Sequence, residues 1–202
     1  MILYLHGFRS APASFKANLL ARRMAELGLA DQWLCPQLPA SPGEAIDLCL
    51  ELVAPHDKDD LTLIGSSLGG YYAIWLAEQL GCKAALLSPA VHAYRALASH
   101  VGKHATYHSA EPFEFKPEYV QELEDIRASG ITRPERYLLL AATGDEVLDW
   151  REMRDYLAGA QQLIIQGSDH GISDFADWMP QVLAFAGIPT DQSTSPRLSP
   201  TR

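Results

Sequence analysis

One ten-residue stretch, Leu61-Thr62-Leu63-Ile64-Gly65-Ser66-Ser67-Leu68-Gly69-Gly70, limits what this chain can fold into more than any other. A short apolar run of strand type ends in Gly-x-Ser-x-Gly, and a helical pattern over residues 71–80 follows at once. Strand, turn and helix in that order are the setting of a nucleophile elbow. The turn is tight enough to force its central serine into a strained backbone and to lift the hydroxyl out at the carboxyl end of a sheet. Small residues two positions to either side let strand and helix approach each other. Ser67 has Gly65 and Gly69 in those places, whereas Ser66 would have Ile64 and Leu68. Ser67 is therefore the candidate nucleophile.

The rest of the chain repeats short apolar runs separated by longer amphipathic ones. Strands are expected over 2–5, 33–35, 61–64, 84–87, 137–141 and 163–165, and helices over 15–27, 42–53, 67–80, 149–157 and 173–185. Short apolar strands, each separated from the next by a helix, imply a parallel sheet covered on both faces and an α/β fold class. Residues 91–133 break this rhythm. They hold four of the seven histidines, Pro112 and Pro117, and a polar helical pattern over 118–129. A long insertion between strands reads as a cap over their carboxyl ends. The expected organisation is one domain over 1–188, with 189–202, which lacks apolar periodicity, as a disordered tail.

A serine is a weak nucleophile without a base, and the base needs a third group to orient it. In an elbow-bearing sheet these follow in the order serine, acid, histidine. Thr143-Gly144-Asp145-Glu146 comes just after one expected strand, and Gly167-Ser168-Asp169-His170 just after another. The carboxyl ends of parallel strands share one edge, so Ser67, Asp145 and His170 can converge there. His170 is the candidate base and Asp145 the candidate acid. Glu146, Asp149 and Asp169 are the alternative acids, with Asp149 also placed to cap a helix starting at Trp150. The negative charge that develops on an attacked carbonyl needs backbone N–H donors. Leu68, just after the nucleophile, supplies one, and Phe8, in the His6-Gly7-Phe8 turn behind the first strand, the other. His6 is expected to stiffen that turn. Tyr71, Tyr94 and Phe113 are candidate pocket walls beside Phe8. His100, His104 and His108 are spaced like one face of a helix, but Gly102 and the absence of a nearby carboxylate or cysteine argue against a metal there.

Composition narrows the partners. Sixteen basic against 25 acidic residues give a net charge of −9, which disfavours nucleic acid and anionic membranes. No apolar run reaches the ~18 residues of a membrane span. The opening Met-Ile-Leu-Tyr-Leu-His-Gly lacks the basic start of a secretory signal. Cys35, Cys49 and Cys82 are odd in number and far apart, which suits reduced thiols in the cytoplasm. Nothing calls for a cofactor or metal, and oligomeric state is not readable.

Together these residues resemble the α/β-hydrolase superfamily, and within it the small bacterial YqiA-type esterases. The resemblance rests on Tyr4–Phe8, on Gly65–Tyr72, on Thr143–Asp149, and on Asp169-His170 with Asp174-Phe175. It implies an α/β-hydrolase fold with six strands in the order 2-1-3-4-5-6 and a pocket opening beneath residues 91–133. It also implies cleavage of esters or thioesters of small acyl groups through an acyl-serine. The reading from another class is an inactive hydrolase-like module that only holds an acyl ligand.

Overall fold

The computed structural model describes residues 1–106 and 112–190. Its elements in chain order begin with β1 (Ile2–Leu5), α1 (Phe15–Glu26), β2 (Trp33–Leu34), α2 (Pro42–Val53), β3 (Thr62–Ser66), α3 (Leu68–Leu80) and β4 (Lys83–Leu87). They continue with α4 (Ala93–Leu97), β5 (Gly102–Ala105), β6 (Pro112–Phe115), α5 (Pro117–Asp125), β7 (Tyr137–Ala142), α6 (Trp150–Tyr156), β8 (Gln161–Ile165) and α7 (Phe175–Phe185). Six strands pair in parallel in the order β2-β1-β3-β4-β7-β8. Counting only these strands, the order is the expected 2-1-3-4-5-6. Residues 191–202, most of the expected tail, lie outside the described residues, as does His108.

Side-chain alternation along the strands builds two cores. Leu3, Leu5 and Leu63 face α2, α3 and the insertion, while Ile2, Tyr4 and Ile64 face α1 and α7. Both faces of β1 and β3 are covered, which is why these strands read as unbroken apolar runs. Each fully buried leucine is worth roughly 1.5–3 kcal/mol relative to an exposed one.

The insertion holds more structure than the sequence reading expected. Besides the expected polar helix it holds a short helix and the antiparallel hairpin β5–β6, which the sequence did not announce. The helix expected over 118–129 starts at Pro117, whose fixed φ suits a first helical position, and ends at Asp125. Polar ties fasten it to the sheet domain. Glu122 accepts from the Ser41 hydroxyl at 2.6 Å and from the Gly43 amide at 3.0 Å. The Tyr71 hydroxyl donates to the Leu123 carbonyl at 2.7 Å, and that of Tyr156 to the Ala128 carbonyl at 2.8 Å.

The elbow sits between β3 and α3, and its glycines are fixed by close approach. A Cβ on Gly69 would overlap the Leu5 carbonyl of the neighbouring strand, and one on Gly65 would fall 2.7 Å from the Gly69 carbonyl carbon. These obstacles are backbone, so no rotamer change relieves them. Gly69→Ala is therefore expected to cost roughly 3 kcal/mol or more, the upper part of the range for overpacking. In a domain of this length that lowers Tm by about 10 °C. A thermal melt by circular dichroism showing a loss under about 2 °C would mean that the strand and helix are not this close.

Candidate active site

Ser67 has φ 53° and ψ −117°, a conformation that costs a non-glycine residue about 1–3 kcal/mol. Neighbouring backbone holds it there. Its amide donates to the Leu87 carbonyl at 3.0 Å, and its carbonyl accepts from Gly70 at 2.9 Å and Ala90 at 3.0 Å. Three other non-glycine residues have positive φ among those described: Arg9 (59°), Ser88 (44°) and Ile172 (48°). Arg9, Ser67, Ser88 and Ile172 follow β1, β3, β4 and β8 respectively. Backbone strain is thus concentrated at the carboxyl edge of the sheet.

Two further loops at that edge bring His170 and Asp145 to Ser67. The Ser67 hydroxyl lies 3.1 Å from His170 Nε2, and His170 Nδ1 lies 2.8 Å from Asp145 Oδ2. The Asp145 side chain is fully enclosed, at 0% exposure. Burial opposes its ionisation, but the His170 hydrogen bond and the amides of Leu148 and Val147 outweigh that and hold its carboxyl below the ordinary range. A carboxylate can only accept, so His170 carries its proton on Nδ1 and turns the Nε2 lone pair toward the serine.

The alternative acids have other work. Glu146 accepts from the His170 backbone amide at 3.0 Å. Asp149 caps α6 by accepting from the Arg151 amide at 2.9 Å. Asp169 accepts from the Ser173 amide at 2.8 Å. Glu146 thus shapes the turn that presents His170, a role that adjacency in sequence does not reveal.

The His6-Gly7-Phe8 turn passes directly beside Ser67: a Cβ on Gly7 would come within 3.2 Å of the serine Cβ. His6 is buried, accepts from the Leu38 amide at 3.0 Å through Nε2, and lies 3.0 Å from the Gly7 carbonyl through Nδ1. It braces the turn. Among the described residues, no turn or loop hydrogen bond uses the amides of Phe8 or Leu68. The Phe8 ring is enclosed edge-on by Phe113 at 5.2 Å, Phe115 at 5.4 Å, His104 at 5.7 Å and His100 at 6.0 Å. Arg9 Nε donates to the Ala105 carbonyl at 2.5 Å, so the hairpin grips this turn at two successive residues. His100 and His104 pack against a ring, and no group of three or more His, Cys, Asp or Glu among the described residues could hold a metal.

A cleft of about 730 Å³ opens over Ser67, lined by Phe8 and Leu68, by Leu97 and His100 of the insertion, and by His170 and Lys16. None of the three expected wall residues Tyr71, Tyr94 and Phe113 lines it. Tyr71 is 3% exposed and points its hydroxyl at α5. Tyr94 packs between Arg95, Arg127 and His92. Phe113 lies behind Phe8 and lines a separate small recess. Lys16 was not singled out in the sequence, although its i,i+4 relation to Leu20 places it on the buried stripe of α1.

The sheet order, the strained serine after its third strand and the capping insertion define an α/β-hydrolase fold. The chain belongs to the uncharacterised protein family UPF0227, the YqiA-type family, whose sequence model matches residues 1–187. Solved structures of the same fold include mouse alpha/beta hydrolase domain-containing protein 10, with TM-score 0.66 and 18% identity over 91% of this chain and 89% of that one. Another is the ferulic-acid-bound Est1E of Butyrivibrio proteoclasticus, with TM-score 0.67 and 15% identity over 90% and 85%. A third is from a study of the metagenome-derived lipolytic enzymes LipS and LipT, with TM-score 0.65 and 15% identity over 92% of each chain. At these identities the likeness is one of fold.

Proposed function

We propose that this protein is a serine hydrolase that cleaves carboxylic esters of small acyl groups through an acyl-Ser67 intermediate. The observation that carries this reading is the unbroken chain from Asp145 through His170 to Ser67, at 2.8 and 3.1 Å. The Ser67 oxygen attacks the ester carbonyl while His170 Nε2 takes its proton. Asp145 stabilises the imidazolium so formed. The carbonyl oxygen, now negative, accepts from the Phe8 and Leu68 amides, the second favoured by the positive end of α3. Collapse of this intermediate breaks the ester C–O bond, and the alkoxide leaves with the proton from His170. Water deprotonated by His170 then releases the acid and restores the serine. Structural neighbours, among them Est1E with ferulic acid bound and a structure from a study of lipolytic enzymes, support this chemistry. The three free thiols fit a reducing, cytoplasmic setting.

The test is intact-mass analysis after exposure to a fluorophosphonate, together with p-nitrophenyl and coenzyme A esters of increasing acyl length. One adduct, on Ser67, with turnover of some esters is the expected result. The length optimum sizes the pocket, and the two leaving groups separate esterase from thioesterase. A protein that gains no adduct and turns over none of the series would instead be the acyl-binding module.

A further inference from the structure

Of the charged side chains that line the cleft beside His170, Arg9 reaches the hairpin backbone and Glu146 the His170 amide, and Lys16 is the most deeply buried and is left idle by these steps. Lys16 sits at the start of α1 and is only 9% exposed, yet it lines the same space as Ser67. Its ammonium donates to the Gly171 carbonyl at 2.6 Å, one residue beyond His170. An ammonium brings three donors and a full charge. A neutral carbonyl satisfies one donor and cancels none of the charge. Among the described residues, no carboxylate lies within ion-pairing distance of it. Burial pulls its pKa down to about 8, outweighing Asp169 and Asp145, which act on it from further away. A buried cation without a counter-charge is costly, and folds normally pair it.

Its surroundings are polar as well. Ser14, the N-cap of α1, makes no side-chain bond to the helix and sits by the Tyr4 hydroxyl, and both residues line the cleft. The helix start adds partial positive charge at the same place. This corner of the cleft offers hydroxyls and an ammonium, while Leu68, Leu97 and Leu148 give the cleft apolar lining.

We infer that Lys16 is a specificity-determining residue that receives a carboxylate carried by the substrate, so that the preferred substrates are esters bearing a free carboxylate on the acyl or the alcohol part. This rests on the serine hydrolase reading above. The substrate supplies in direct contact the counter-charge that the fold places only at a distance, through charge-assisted hydrogen bonds to the two unspent donors. On a chain of net charge −9, a cation sheltered inside the cleft attracts such an anion at short range, while the surface as a whole does not.

The experiment compares kcat/KM for matched pairs. On the acyl side these are mono-p-nitrophenyl adipate and p-nitrophenyl heptanoate; on the alcohol side, carboxymethyl butyrate and propyl butyrate, followed by acid release. Wild type is expected to favour the anionic member of at least one pair by about tenfold, the worth of one charged hydrogen bond. Lys16→Met is expected to bring that ratio to one or below, and Lys16→Arg to retain part of it. Lys16→Met is also expected to raise Tm, because an uncompensated buried charge is removed; a purely structural link to Gly171 predicts a fall. Three results overturn the assignment: neutral esters equal to or better than anionic ones in both pairs with wild type, a ratio that survives in Lys16→Met, or a lowered Tm with both members of a pair losing equally. Each of these leaves the hydrolase reading standing, since the neutral esters still turn over. Failure of every ester with wild type would overturn both.

Discussion

Ser67→Ala is expected to lower kcat for any ester the wild type cleaves by a factor on the order of 10⁴ to 10⁶, the loss seen when a serine-triad nucleophile is removed. The fold should be untouched. Alanine meets the same strain at φ 53° as serine does, and the backbone bonds that hold the position do not involve the hydroxyl. What disappears is the attacking oxygen and one hydrogen bond to His170, so Tm should stay within a few degrees. Residual catalysis would come from the Phe8 and Leu68 amides acting on attack by water. Steady-state kinetics with p-nitrophenyl butyrate, paired with a thermal melt, reads both quantities. Retention of more than about 1% of activity in a fully folded variant would mean that another group attacks the carbonyl.

Asp145→Asn is the second large effect, about 10⁴-fold in kcat by analogy with triads whose orienting carboxylate is neutralised. The cause is the tautomer. Asp145 Oδ1 accepts from the Val147 and Leu148 amides at 2.9 and 2.8 Å. An asparagine keeps its single oxygen on those donors and turns its NH₂ toward His170. The imidazole must then accept at Nδ1 and carry its proton at Nε2, where it can no longer take one from Ser67. Asp149→Asn and Asp169→Asn should cost less than about threefold, because an amide oxygen replaces their capping oxygens well. Stability gives an independent check. The Asp145 carboxyl is held below its ordinary range in the folded state, so its contribution is complete above the unfolded value of about 4 and is lost as pH falls through the lower folded one. The stability gap between wild type and Asp145→Asn should narrow below about pH 4 and stay constant above it. The reverse order among the three acids in kcat would move the orienting role to Asp149 or Asp169.

The loops that carry Ser67, Asp145 and His170 were legible because each stands directly behind an apolar strand, and parallel strands send their carboxyl ends to one edge. The elbow was clearest, since Gly65 and Gly69 answer a backbone requirement that no other residue meets. Side-chain direction was not legible. Tyr71 follows the elbow closely in sequence, but its place on α3 turns it toward α5 rather than the cleft. The hairpin β5–β6 was hidden because its strands are short and half-exposed, with Lys103 and His104 where an apolar run would announce a strand. Lys16 was readable in principle. A lysine in register with Leu20 and Met24 on an amphipathic helix lies on the inward stripe, and its charge there asks for an explanation.

The grip of the hairpin on Phe8 and Arg9 bears on how such proteins can diverge. A cap that merely shaded the cleft could be traded between relatives to change what enters. Here the same segment encloses the ring of the residue whose amide is proposed to hold the oxyanion, and takes up the side chain of the next. Substrate choice and turnover rate are therefore linked by inheritance: a lineage that remodels residues 102–115 must revise positions 8 and 9 with them, or lose speed along with its old preference.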